Sequence, residues 1–252
     1  DLTYADGDYC SGKPCFKEHW ELWFQELGLF AQSAPILPTF GNHENKTDVK
    51  FSNGETFYTR SLALPQASGS EMYYSFDYGD VHFIALDSEN YKSLESGKIQ
   101  YEWLKRDLQN KNKKFTVVYF HHTVFSTGEH APIQTLQRYV VPLFDQYNVD
   151  LVISGHNHHY ERTLPLTGST GNYQTPVSVS TAVDNYTNVD GTVYVITGGA
   201  GGSLYNFSDP KPSWSQVRYK GFEYIRVDVD DAGSLTITAK DFNALHKTDL
   251  DF

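Results

Sequence analysis

Val149-Asp150-Leu151-Val152-Ile153-Ser154 runs directly into Gly155-His156-Asn157-His158-His159-Tyr160-Glu161-Arg162. The first six residues read as a buried strand. Gly155 permits a tight turn at its end. Beyond it, His156 and His158 alternate around Asn157, so an extended segment splays two imidazoles toward two neighbouring points. Two other segments share this placement after an apolar run, Gly41-Asn42-His43-Glu44 and His121-His122, and Asp1-Leu2-Thr3-Tyr4 adds a carboxylate and a phenol. In α/β folds, side chains just beyond strand carboxyl ends converge on one crevice. Imidazole nitrogen, carboxylate and phenolate oxygen all bind first-row cations. A single buried His is more often a satisfied core residue, but several His and Asn at separate strand ends point to metal.

Outward from this segment, helical and strand patterns alternate. Lys17–Phe30 reads as a helix with Trp20, Trp23, Phe24 and Leu27 on one face, and Gln100–Lys111 as a second, carrying Tyr101, Trp103, Leu104 and Leu108. Pro35–Phe40 reads as a short buried strand, and Met72–Asp77 and Val81–Asp87 as a strand pair around a Tyr-Gly-Asp turn. Phe115–Phe120 is a continuous β-rich run. Gln134–Tyr147 reads as helical, kinked or divided by Pro142. Thr192–Thr197, Gly221–Val229 and Ser234–Ala239 supply later strands. The pattern predicts an α/β sandwich with a mixed sheet.

The chain has 252 residues, 39% hydrophobic and 20% charged, which suits a globular protein. Its formal net charge of -11 argues against a nucleic-acid partner, because phosphate backbones are repelled. Bound cations would reverse the sign locally, so a phosphorylated small molecule stays admissible. No stretch approaches the ~20 apolar residues of a membrane span.

Gly-Asn-His-Glu at 41–44, an apolar strand followed by His121-His122, and Gly155-His156-Asn157-His158-His159-Tyr160-Glu161-Arg162 together resemble the calcineurin-like metallophosphoesterase signature. Asp1-Leu2-Thr3-Tyr4-Ala5-Asp6 resembles the GDxxYAD block of the purple acid phosphatase branch. Tyr73–Asp77, Leu86–Glu89, Gln100–Leu104 and Val195–Gly202 are similar to family segments between these motifs. The resemblance implies an α/β/β/α sandwich of two mixed sheets flanked by helices, lacking its first strand. It implies one catalytic domain over 1–252, with a tail from about Asp241 that resembles nothing placed.

The resemblance also implies a dinuclear centre, Fe(III) with divalent Zn, Mn or Fe. Asp1 would bridge the two metals. Tyr4 would be the phenolate whose charge transfer to ferric iron gives colour, and His158 would join it. Asn42, His121 and His156 would hold the divalent ion. His43 and His130 would contact phosphate. His122 and His159 would be hydrogen-bonding or packing neighbours, and Ala131 stands where some members have a second His. The implied reaction is acid hydrolysis of phosphate monoesters by a metal-activated hydroxide. A phosphodiesterase or nucleotidase of the same superfamily is the near alternative, opposed by Tyr4. A secreted structural or assembly glycoprotein without activity is the distant one.

Cys10 and Cys15 are either unrelated thiols or a local disulfide around Ser11, Gly12 and Pro14; the second reading is favoured, since a structural zinc site would need another pair. Sequons at Asn45, Asn185 and Asn206 join it in suggesting a secretory route, extracellular or vacuolar-lysosomal. The family places a further metal-binding Asp on a strand before the Asp1 block. The expectation is therefore a longer polypeptide, or an oligomer partner, and an empty strand position beside Val149–Ser154 or Pro35–Phe40.

Overall fold

Alternation along the apolar runs sorts their side chains onto the two faces of one sheet. Val117, Leu151, Val193 and Val195 face one way, and Val118, Phe120, Val152 and Tyr194 the other. The computed structural model describes residues 1–3, 16–47, 56–169, 172–182, 184–187 and 189–242. Helices are α1 (Phe16–Ala31), α2 (Asn42–Thr47), α3 (Phe57–Ser61), α4 (Ile99–Asn110) and α5 (Val141–Gln146). Strands are β1 (Tyr74–Tyr78), β2 (Val81–Ala85), β3 (Phe115–Phe120), β4 (Leu151–Ser154), β5 (Tyr160–Thr163), β6 (Leu166–Ser169), β7 (Asn172–Ser178), β8 (Val193–Thr197), β9 (Ser215–Tyr219), β10 (Glu223–Val229) and β11 (Leu235–Asp241).

Among the described residues, seven strands form one mixed sheet in the order β1-β2-β3-β4-β8-β5-β9. β2, β3, β4 and β8 are parallel, while β1, β5 and β9 run antiparallel to their neighbours. One face packs under α4 and α5 around Leu104, Leu108, Val140 and Phe144, all buried. The other packs against the β10–β11 hairpin, whose Ile225, Val227, Ile237 and Ala239 point inward. Full burial of each aliphatic side chain contributes about 1.5–3 kcal/mol, so this layering is driven by the two apolar faces. A third cluster gathers Trp20 of α1, Tyr58 of α3, Phe40 and Tyr74 beside β1.

The fold is the expected mixed α/β one, a large mixed sheet flanked by helices. Three details differ from the sequence reading. The second layer of strands is a two-stranded antiparallel pair rather than a mixed sheet. Its turn explains why: Gly233 has φ 78°, and Asp230 Oδ1 accepts from Ser234 N at 2.8 Å, so the chain reverses within a few residues and the strands must run antiparallel. Among the described residues, Pro35–Phe40 joins no ladder. Pro35 and Pro38 lack N–H groups, and the Pro38 carbonyl instead accepts from the hydroxyls of Tyr58 (2.9 Å) and Tyr74 (2.6 Å). No empty position lies beside β4, which is flanked by β3 and β8.

The segment before α5 behaves as its proline dictates. Leu136–Val140 is a π-helical turn that runs straight into α5, and Pro142, which has no N–H to donate, stands where the wider turn gives way to the α-helix.

Candidate metal centre

Because β3, β4 and β8 are parallel, His121, His156 and Gly198 emerge at the same sheet edge. His121 follows Phe120 directly. His156 lies two residues past β4 and adopts φ 64°, a left-handed conformation uncommon for a residue with a Cβ. Such strain persists only where surroundings hold it, and it aims the imidazole back at His121. The rings of His121 and His156 stand 4.9 Å apart, centre to centre. Asn42, at the start of α2, completes the group. Its Oδ1 lies 2.7 Å from His121 Nε2 and 3.0 Å from His156 Nδ1, and these two nitrogens are 3.0 Å apart. Ligands about 2.0–2.2 Å from a first-row cation, at right angles to each other, would also be separated by about 3 Å. The amide oxygen and two imidazole nitrogens therefore fit a metal ion as a donor triangle.

Asp1 adds a carboxylate. Its Oδ1 lies 3.4 Å from His121 Nε2 and accepts from His43 N at 2.9 Å. Glu44, 1% exposed, fastens the segment: Oε1 accepts from Leu2 N and Thr3 N, both 2.8 Å, and Oε2 from Gly41 N at 3.0 Å. Gly41 is needed for this approach, since a Cβ there would sit 2.3 Å from Asp1 Oδ1.

His158 lines a cavity of about 460 Å³ together with Asp1, Leu2, His156, Gly198, Gly201 and Gly202. Its Nδ1–H donates to Ser203 O at 2.7 Å, which fixes the tautomer so that Nε2 carries the lone pair. Its ring stacks on Tyr205 at 4.1 Å. A Cβ on Gly202 would lie 2.5 Å from this imidazole.

His130 reaches the mouth, 4.4 Å from the His156 ring, on a loop tied by Asn157. Asn157 Oδ1 accepts from His130 N, and its Nδ2 donates to His130 O and Ser126 Oγ, each at 2.9 Å. His43 occupies the first turn of α2, next to Asn42. His122 joins the His121–His156 group, with candidate ligand atoms all within 4.8 Å. Its ring nitrogens face Ser88 Oγ (3.2 Å) and Glu89 Oε1 (3.2 Å).

Electrostatics suit cation binding. Burial, the largest cause for each, holds His121 well below its usual range, His156 at about 3 and His122 at about 4. His158 is lowered as well, chiefly by burial. His121, His156 and His122 thus stay neutral in mild acid, with lone pairs available.

The structure brings Asp1, Asn42, His121 and His156 together, with His158, His43 and His130 around the same opening. Tyr4, Cys10 and Cys15 lie outside the described residues. Asn45, Asn185 and Asn206 are exposed, Asn45 on α2 rather than on a turn. Sequence reasoning missed Glu44, Asn157, Glu161 and Gly202. All four stood inside the quoted segments, but nothing in a linear string separates a ligand from the residue that holds it.

Residues 1–160 match the family model described as calcineurin-like phosphoesterase, and residues 191–241 match iron/zinc purple acid phosphatase-like protein C. The chain belongs to the calcineurin-like phosphoesterase family. Within that family it is purple-acid-phosphatase-like. It is 35% identical to an uncharacterized Mycobacterium tuberculosis protein over 206 residues, 73% of this chain and 38% of that one. It is 30% identical to mouse acid phosphatase type 7, covering 79% and 48% of the two chains. An Arabidopsis thaliana relative named "probable inactive purple acid phosphatase 1" is 25% identical over 95% of this chain and 41% of its own. In fold, the chain is similar to the purple acid phosphatase isolated from yellow lupin seeds, with a TM-score of 0.77, 23% identity, and coverage of 99% and 44%. The chain spans less than half the length of these curated relatives. The purple acid phosphatase family implies a dinuclear metal centre, and the histidine cluster of this calcineurin-like phosphoesterase is compatible with one. No described helix is long and apolar enough to cross a membrane.

Proposed function

We propose that residues 1–252 form one catalytic domain of an acid phosphatase acting on phosphate monoesters. The observation that carries this is the donor triangle of Asn42, His121 and His156, with the Asp1 carboxylate beside it. Asn42, His121 and His156 would hold a divalent Zn, Mn or Fe, and Asp1, Tyr4 and His158 an Fe(III), with Asp1 shared. When bound, such a pair neutralises the phosphoryl charge and acidifies the attacking water.

The protein's own residues do the rest. Asn42 turns an amide oxygen, and His121 and His156 turn neutral nitrogens, toward one point. Ser203 O holds the Nδ1 proton of His158 and so orients Nε2. His130, exposed at the mouth, and His43 would bind the phosphate oxygens, and either could pass a proton to the leaving alkoxide in acid. The exposed sequons at Asn45, Asn185 and Asn206 support a secreted or vacuolar glycoprotein. The net charge of -11 favours a small phosphorylated substrate over nucleic acid.

The names of the Arabidopsis relatives described as inactive favour a second reading, a fold retained without turnover. One experiment separates the two. Purified protein is analysed for iron, zinc and manganese and assayed with p-nitrophenyl phosphate at acidic pH. Metal-dependent turnover that disappears in His156→Ala supports the enzyme; metal binding without turnover supports the inactive reading.

A further inference from the structure

His130 sits on the loop that leads from β3 to the helical turn Leu136–Val140 before α5. At its base, Ile133 N donates to Thr123 O at 3.1 Å. Between these points the loop is held by partners from elsewhere in the fold. Asn157 grips His130 through both backbone groups, at 2.9 Å each. Three residues earlier in the loop, Thr127 is gripped in the same double manner by Glu161. Its N–H donates to Glu161 Oε2 and its hydroxyl to Oε1, both at 2.8 Å.

Glu161 is 1% exposed on β5. Burying a carboxylate costs several kcal/mol unless donors surround it. Here the donors tie separate elements together. Ser215 Oγ of β9 donates at 2.6 Å, and Arg218 Nε and His159 Nε2 add charge or a proton at 3.8 and 3.7 Å. Burial alone would raise this carboxyl, but the nearby His159 imidazole and the hydrogen bonds from Ser215 and Thr127 outweigh it and hold the group below the usual range. Thr127 extends the tie, its carbonyl accepting from Ser208 N at 2.7 Å and Ser208 Oγ at 3.1 Å.

The segment 155–162 therefore has two jobs at different residues. His156 and His158 face the candidate metal centre, while Asn157 and Glu161 fasten the loop that brings His130 over His156. We infer that Glu161 is a positioning residue for His130, acting through its two hydrogen bonds to Thr127. It lies on the far side of that loop and is not itself assigned any contact with substrate. The consequence for phosphate rests on the phosphatase reading above; the tie itself does not.

The test uses the metal-loaded protein and two variants, Glu161→Gln and Thr127→Val. Glutamine keeps the shape but loses the charge and one acceptor. Hydrogen bonds to a charged group, once lost, are worth roughly a 10- to 100-fold shift in a local equilibrium. Amide exchange at Thr127 and His130 should quicken by about that factor in Glu161→Gln, and by less in Thr127→Val, while amides of β3 and β4 exchange as in the wild type. Bound metal should be unchanged. With p-nitrophenyl phosphate, KM should rise and inhibition by inorganic phosphate weaken by about 10-fold, with a smaller change in kcat. Unchanged exchange in the loop overturns the inference, as does exchange that quickens equally in the strands. A loosened loop with unaltered phosphate affinity also overturns it, because His130 would then not depend on the tie. A wild type that turns over no phosphate would refute the phosphatase reading alone, and the exchange result would still decide the role of Glu161. If Glu161→Gln does not fold, Thr127→Val decides by the same criteria.

Discussion

Gly41→Ala tests how tightly the first residues are docked on the site. An added Cβ would lie 2.3 Å from Asp1 Oδ1 and 2.9 Å from both Asp1 Cα and Asp1 N. The first contact falls about 0.7 Å short of the 3.0 Å below which real Cβ atoms are essentially never found. Rotating the carboxylate away does not solve the problem, because two of the close atoms are backbone. Rotation would also break the 2.9 Å bond from His43 N and move Oδ1 from its place 3.4 Å from His121 Nε2. The whole residue must retreat, against the hold of Glu44 on Leu2 and Thr3. Overpacking of this kind costs about 1–3 kcal/mol of stability. A displacement approaching 1 Å at a reacting centre costs about 10²-fold in rate. The expected outcome is thus a modest loss in denaturant stability together with a roughly hundredfold fall in kcat/KM and weaker metal retention. Denaturant unfolding, metal analysis and p-nitrophenyl phosphate kinetics on one preparation measure all three. Wild-type metal content and wild-type kcat/KM in Gly41→Ala would refute the claim that Asp1 is held against the site through Gly41.

Three further outcomes follow from other parts of the molecule. Tyr4→Phe should bleach any visible charge-transfer band of the iron-loaded protein without unfolding it; a spectrum that survives would assign the band to another ligand. His82 lies between Asp77 (2.7 Å) and Asp107 (2.8 Å), and although burial alone would lower it, the hydrogen bonds it donates to Asp107 and Asp77 leave it raised above its usual range. A raised folded value means its contribution is complete below the unfolded value and fades as pH climbs through the folded one, so denaturant stability should drop across that alkaline-side window. In His82→Gln that drop should flatten, and an unaltered pH profile would show that the bridge contributes nothing. Expression through the secretory route of a eukaryotic host should add glycan mass, removable by glycosidase and reduced in Asn206→Gln or Asn185→Gln; an unmodified secreted protein would contradict the glycoprotein reading.

Legibility in the sequence followed the physics of each element. Phe115–Phe120 and Thr192–Thr197 announced themselves because parallel strands covered on both faces need continuous apolar runs. α4 was visible from its repeating apolar face. β5 was not, because Tyr160-Glu161-Arg162-Thr163 carries two charges and yet is fully buried. Its charges are compensated by Thr127, Ser215 and Tyr186, residues far away in the chain. Pro35–Phe40 looked like a strand by hydrophobicity, but its prolines remove the donors a ladder needs. Gly41-Asn42-His43-Glu44 read as a loop, whereas Asn42 begins a short helix whose first turn presents Asn42 to the imidazoles. The candidate ligands were legible as residue types at strand ends. The residues that aim them were not, since a buried Glu44 or Asn157 is told from a surface one only by what surrounds it.

The central claim is that Asn42, His121 and His156 hold a metal ion that the reaction requires. Its most direct test is metal analysis of the purified protein and of His156→Ala, paired with turnover of p-nitrophenyl phosphate before and after chelation. The wild type should hold bound first-row metal, lose turnover on chelation and recover it when metal is restored, and the variant should show lower metal content and no turnover. A wild type that retains no metal, or a His156→Ala protein with unchanged metal content and turnover, would contradict it.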